Sequence, residues 1–173
     1  RGVLLPASLI CLIAWAPAAT RQDKPDFSGT WILDAARSSA PDVPRALTIT
    51  MHLVSTTKRG EPMKPFFKSM DVRREFANRT TEETYPLGIL GGSMGAPGSR
   101  ASVTTRYRNV WEEETLVLEL ETETGPATEI RAWTKHREAW SFDTEGGLRI
   151  EMADSSSTSQ PSTAALVYRR KSN

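Results

Sequence analysis

The chain has 173 residues, 38% of them hydrophobic and 25% charged, with 22 basic residues against 21 acidic ones and a single cysteine. That length suits one domain, the near-neutral balance offers no basic surface for a nucleic-acid partner, and one cysteine excludes a disulfide scaffold. The remaining class is a globular domain that must hold together by its apolar core.

The N-terminal stretch has the three parts of a secretory signal peptide: Arg1-Gly2, an apolar run from Val3 to Trp15, and the small-residue exit Ala16-Pro17-Ala18-Ala19. A membrane anchor would need about 20 apolar residues, and Pro6 interrupts this run. Residues 1–19 are therefore expected to be removed on export, with the protein periplasmic or extracellular and without a membrane span. Cys11 follows Ile10, not the small residue a lipoprotein signal requires, so it is expected to leave with the signal. Residues 20–26 read as a polar linker and residues 27–171 as a single domain.

Within that domain, Phe27, Gly29, Trp31 and Leu33 alternate with polar or outward positions. Leu47, Ile49, Met51 and Leu53 do the same, as do Leu116, Leu118 and Leu120. Period-two alternation places one face in a core and the other in water, as in antiparallel sheets. Further strands are expected at 66–76, 80–85, 101–111, 128–136, 139–143, 148–153 and 164–170. Turn signals separate them at Lys58-Arg59-Gly60, Glu112-Glu113-Glu114, Thr124-Gly125-Pro126 and the segment from Asp143 to Gly147. The only helical piece expected is a turn around 34–38, and the Gly-rich 90–99 and Ser-rich 154–163 segments read as loops. Short strands at this spacing make an all-β fold, an antiparallel up-and-down β-barrel of about 8–10 strands, because closure removes exposed edges. A barrel of about eight strands is either filled by side chains or holds one small ligand.

Phe27-Ser28-Gly29-Thr30-Trp31 resembles the Gly-x-Trp opening of lipocalins and of related biotin-binding barrels. The resemblance implies that Gly29 and Trp31 close one barrel end against a basic residue of the last strand, for which Arg169 and Arg170 are the candidates. Tyr85-Pro86-Leu87-Gly88, Ser99-Arg100-Ala101, Leu116-Val117 and the ending Leu166-Val167-Tyr168-Arg169-Arg170 extend the likeness to small secreted bacterial lipocalin-like proteins. Those often place Asp-Gly where this chain has Glu112-Glu113-Glu114, so a looser hairpin is expected there.

No catalytic constellation emerges. Gly91-Gly92-Ser93-Met94-Gly95 matches the Gly-x-Ser-x-Gly string of hydrolases, but that motif needs a helix after the serine, and Ala96-Pro97-Gly98 opens one poorly. His52 and His136 lack metal-spaced neighbours and read as surface residues. The acids at 112–114, 119, 121 and 123 lack a calcium-loop pattern and read as a solvated strand face, with Arg73, Arg74, Arg106 and Arg108 as cross-strand partners. No metal and no cofactor is expected.

The aromatic residues carry the functional question. Tyr107, Trp133, Trp140 and Phe142 are candidate lumen residues, since strand aromatics line a ligand pocket or fill a closed core. Facing cannot be assigned from sequence alone. The resulting expectation is a non-catalytic binding protein for a small hydrophobic or amphipathic ligand. The alternative is a filled barrel that binds a protein or envelope partner through its loops.

Overall fold

The computed structural model of the chain describes residues 23–40, 42–58, 60–95, 102–125 and 132–172. The signal-peptide reading of residues 1–19 lies outside the described residues, as do residues 20–22 of the linker. The strands are β1 (Gly29–Leu33), β2 (Ala46–Val54), β3 (Thr57–Lys58), β4 (Glu61–Pro62), β5 (Phe66–Glu75) and β6 (Thr80–Pro86), then β7 (Ile89–Gly95), β8 (Ser102–Glu112), β9 (Thr115–Gly125), β10 (Ala132–Phe142), β11 (Leu148–Ser156) and β12 (Ser162–Arg170). Ten of them form one antiparallel sheet in the order β6-β5-β2-β1-β12-β11-β10-β9-β8-β7, and β3 with β4 makes a small separate hairpin. Apart from that insertion and the unpaired β6–β7 edges, each strand of the sheet neighbours the next one along the chain, and β12 returns to pair with β1. The result is an all-β, up-and-down, nearly closed barrel. No helix among the described residues is long and apolar enough to cross a membrane.

The two sheet edges, β6 and β7, are consecutive in the chain and joined only by Leu87-Gly88. That connector crosses the seam: Leu87 N–H donates to the Lys68 carbonyl at 2.8 Å and Gly88 N–H to the Asn109 carbonyl at 2.9 Å. Asn109 returns a bond from Nδ2 to the Pro86 carbonyl at 3.0 Å. Gly88 makes the crossing with φ +75°, where a side chain is disfavoured.

Alternation explains the core. Leu47, Ile49 and Met51 of β2 point inward, with Met70 and Val72 of β5 and Leu116 and Leu118 of β9. Each such side chain gains about 1.5–3 kcal/mol from burial. One end of the barrel is plugged by aromatics: Phe27 lies 5.8 Å from Trp111, 5.1 Å from Phe142 and 6.4 Å from Trp140, and Trp31 lies 5.9 Å from Phe142. Arg170 covers Trp31 at 5.0 Å and donates from Nη2 to the Ser28 carbonyl at 2.6 Å. A Cβ on Gly29 would sit 3.4 Å from that guanidinium, so the glycine gives the arginine room to lie against the strand. Arg169 turns the other way, to Asp34 at 2.7 Å.

Four expectations about the elements change. The 90–99 segment is not wholly loop, because Ile89–Gly95 pairs with β8. Its glycines hide a strand whose backbone does the pairing, with a register shift between Leu90 and Gly92. The 154–163 segment shrinks to 157–161, since β11 runs on to Ser156 and β12 begins at Ser162. Ser156 Oγ accepts the N–H groups of Thr158 and Ser159 and so builds that turn. The two strands expected at 128–136 and 139–143 are one, Ala132–Phe142, because Arg137 and Glu138 between them pair without a break with β9 and β11, Glu138 facing inward and Arg137 outward to Glu112 and Glu119.

The β8–β9 hairpin is tight and not loose. Glu112 pairs with Thr115, leaving a two-residue turn in which Glu113 takes φ 54°. A left-handed conformation costs a non-glycine residue about 1–2 kcal/mol, part of which glycine's greater chain entropy cancels. Glu113→Gly is therefore expected to stabilise the fold by about 0.5–1 kcal/mol. The Lys24 Nζ bond to the Glu113 carbonyl survives the change because it uses the backbone. Urea midpoints of the two proteins check it, and an unchanged or lower midpoint would refute the strain argument.

Candidate functional site

Above the aromatic plug the barrel holds a cavity of about 920 Å³. Leu47, Leu118, Leu120, Ile150, Met152 and Leu166 supply its apolar walls, and Asp42, Phe76 and Arg79 also border it. Leu120 is 47% exposed although it shares its strand face with the buried Leu116 and Leu118. An inward leucine exposed to that extent marks an incompletely filled lumen.

A charged network crosses the lumen from β5 to β10. On β5 the inward parity of Met70 and Val72 continues to Arg74, and on β10 that of Trp140 continues to Glu138 and His136. The Arg74 and Glu138 side chains are each only 11% exposed. Arg74 Nη2 donates to both Glu138 oxygens, at 3.0 and 3.3 Å, while Nη1 donates to Glu83 Oε2 and, at 2.8 Å, to the Tyr85 hydroxyl. The Tyr85 hydroxyl donates in turn to that same Glu83 oxygen. The Arg74 guanidinium also lies 5.6 Å from the Tyr85 ring and 5.8 Å from the Trp140 ring. Glu138 further accepts Trp140 Nε1–H at 2.9 Å and meets His136 Nε2 at 3.2 Å, and His136 Nδ1 meets Asp154 at 2.6 Å.

These contacts set the charges. Burial alone would push Glu138 toward its neutral form, but His136 and Arg74 outweigh it and hold the carboxyl below its ordinary range. The Glu138 hydrogen bond, aided by Asp154 and opposed by burial, pushes His136 up to about 9. Burial raises the Tyr85 phenol, which stays protonated and able to donate. At neutral pH the imidazole is therefore a cation using both N–H groups.

A pH dependence follows. The folded-state value of His136 lies above its unfolded value of about 6.5. Its stabilising contribution is fully present below that value, falls as pH rises toward about 9, and is gone above it. The unfolding free energy is expected to decline across this window, and His136→Gln is expected to flatten the decline. Urea titrations at several pH values read the slope. Equal slopes in both proteins would remove His136 from the account.

Of the candidate lumen residues, Tyr107 borders the cavity. Trp140 is fully buried, with its ring under Arg74, and does not border it. Phe142 belongs to the aromatic plug. Trp133 is 38% exposed near the start of β10, where its backbone N–H meets Ser157 Oγ at 3.2 Å. The expectation that both histidines lie on the surface holds for His52, which pairs with Asp71 at 2.6 Å outside the barrel. The His136 side chain is also exposed, at 41%, and it borders the cavity in addition. Arg106 and Arg108 do meet Glu121 and Glu119 across the β8–β9 ladder, whereas Arg73 meets none of the expected acids and pairs with Glu75 and Glu82. Arg74, read as an outer-face partner, instead lies inside; its two-residue spacing from Val72 was the signal. Ser93 lies on β7, and the residues just after that strand lie outside the described residues.

Among the described residues no group of three His, Cys, Asp or Glu is placed to hold a metal ion. No protein-family model matches the chain, and a search of curated proteins found no match.

Proposed function

We propose that this chain is an exported, non-catalytic binding protein of the lipocalin-like kind that holds a small apolar or amphipathic molecule inside its barrel. The observation that carries the reading is the cavity of about 920 Å³ with apolar walls and one fixed polar cluster. Small-molecule sites commonly enclose about 300–1,000 Å³, mostly apolar, with a few placed polar groups that set orientation. The Gly29, Trp31 and Arg170 contact at the plugged end supports the lipocalin-like part, and the apolar N-terminal segment supports export.

Native mass spectrometry of the full chain, expressed in an exporting host and purified gently, tests this. A discrete small-molecule adduct, present on isolation or after incubation with apolar and amphipathic compounds, is the expected result. A bare mass throughout would overturn the carrier reading. It would leave the interaction module, which binds a protein or envelope partner through the 90–99 and 154–163 segments.

A further inference from the structure

The cavity's polar cluster contains two kinds of carboxylate. Glu138 is buried and saturated, with bonds from Arg74, Trp140 and His136. Glu83 differs: its side chain is 52% exposed, and it comes from β6, an edge strand with a single hydrogen-bonded neighbour. Arg74 Nη1 and the Tyr85 hydroxyl both converge on one Glu83 oxygen. The guanidinium does not depend on Glu83 for its position, and the Tyr85 hydroxyl is held in turn by Arg74 at 2.8 Å. Glu138 holds the other edge of the guanidinium, and Trp140 and Tyr85 lie against its planar group.

We propose that Glu83 is a resident stand-in for the ligand's head group, so that the cavity selects amphipathic carboxylates, whose carboxylate displaces Glu83 from Arg74 and Tyr85. This rests on the carrier reading and names its ligand class. The chemistry of the cradle decides the sign. Two donors, one a permanent cation, meet at a point that an acceptor must fill. When Glu83 turns out to water, Arg74 and His136 face Glu138 and Asp154, two cations against two acids. A carboxylate entering the cradle restores the charge that Glu83 took away, whereas an ammonium would stand against the guanidinium. The apolar wall of Leu118, Leu120, Ile150 and Met152 then takes the chain. Displacement costs little at Glu83, because a half-exposed carboxylate is already partly hydrated.

A self-occupied site lowers apparent affinity by the fraction of time the cradle is open. Decanoic acid, decanol and decylamine share a chain and differ only in head group, so their dissociation constants are measured by calorimetry on the full chain. The wild-type protein is expected to prefer the acid. Glu83→Gln should raise the preference for acid over alcohol about tenfold by opening the cradle. Tyr85→Phe should lower it about threefold to tenfold by removing one donor. Decanol binding shows in each variant that the barrel is folded and its cavity intact. If all three probes bind alike and Glu83→Gln changes nothing, the head-group inference falls while the carrier reading stands. If the amine binds best and Glu83→Gln abolishes that preference, Glu83 is itself the recognition group and the inference is overturned. If no probe binds any variant, both readings fall together.

Discussion

Replacing Arg74 with methionine is expected to lower the unfolding free energy by about 3–5 kcal/mol, the usual cost of breaking a buried ion pair from one side. The substitution keeps much of the side-chain volume but leaves Glu138 buried with His136 as its one cation and Trp140 as its one neutral donor. Its carboxylate loses two guanidinium bonds, at 3.0 and 3.3 Å, in a wall where its side chain is 11% exposed. The pair itself need not be a large net gain, because taking both charges from water costs about as much as their attraction returns. The double variant Arg74→Met with Glu138→Leu should therefore recover much of the loss, with a coupling energy of about 2 kcal/mol or more in the cycle. Urea unfolding of the four proteins measures it. Additive losses, or a single-variant cost below about 1 kcal/mol, would show that the pair does not act as one buried unit.

Trp140→Ala is expected to cost about 3–5 kcal/mol, as for other large-to-small changes at fully buried aromatics. The indole lies against Phe27, carries Arg74 over its ring and donates to Glu138 at 2.9 Å, so truncation opens a void and frees a buried acceptor together. Trp140→Phe keeps most of the volume and should cost about 1–3 kcal/mol, chiefly for the lost N–H bond. Trp133→Ala, at a site 38% exposed, should change stability by no more than about 0.5 kcal/mol. The contrast separates two tryptophans that look alike in the sequence. Similar costs at both would contradict the placement of Trp140 in the core.

Strand existence was legible wherever one face is apolar. Leu47, Ile49 and Met51 point inward as their alternation requires, and the Leu116, Leu118 and Leu120 face is the inner face of β9. Legibility failed where side chains carry no hydrophobic signal. The glycines of β7 pair through the backbone alone, and the polar stretch of β10 has no apolar residue between His136 and Ala139 to mark it as strand. Parity was still there: Arg74 keeps step with Met70 and Val72, and Glu138 and His136 keep step with Trp140. The tight β8–β9 turn was missed because Glu113 accepts a left-handed conformation that residue type argues against.

The amino-acid sequence by itself determined the all-β class and the up-and-down strand order, because period-two patterning and short turns are local properties; the closure at Trp31 followed only from the resemblance to lipocalins. Only the tertiary structure decided that Arg74 and Glu138, 64 positions apart, meet across the lumen. Strand alternation settles which residues share a face, but not how wide the barrel closes or which opposite wall a side chain reaches. The same limit applied to the aromatics: Tyr107 and Trp140 both lie on inward positions, and their depth along the barrel placed one at the cavity and the other in the core.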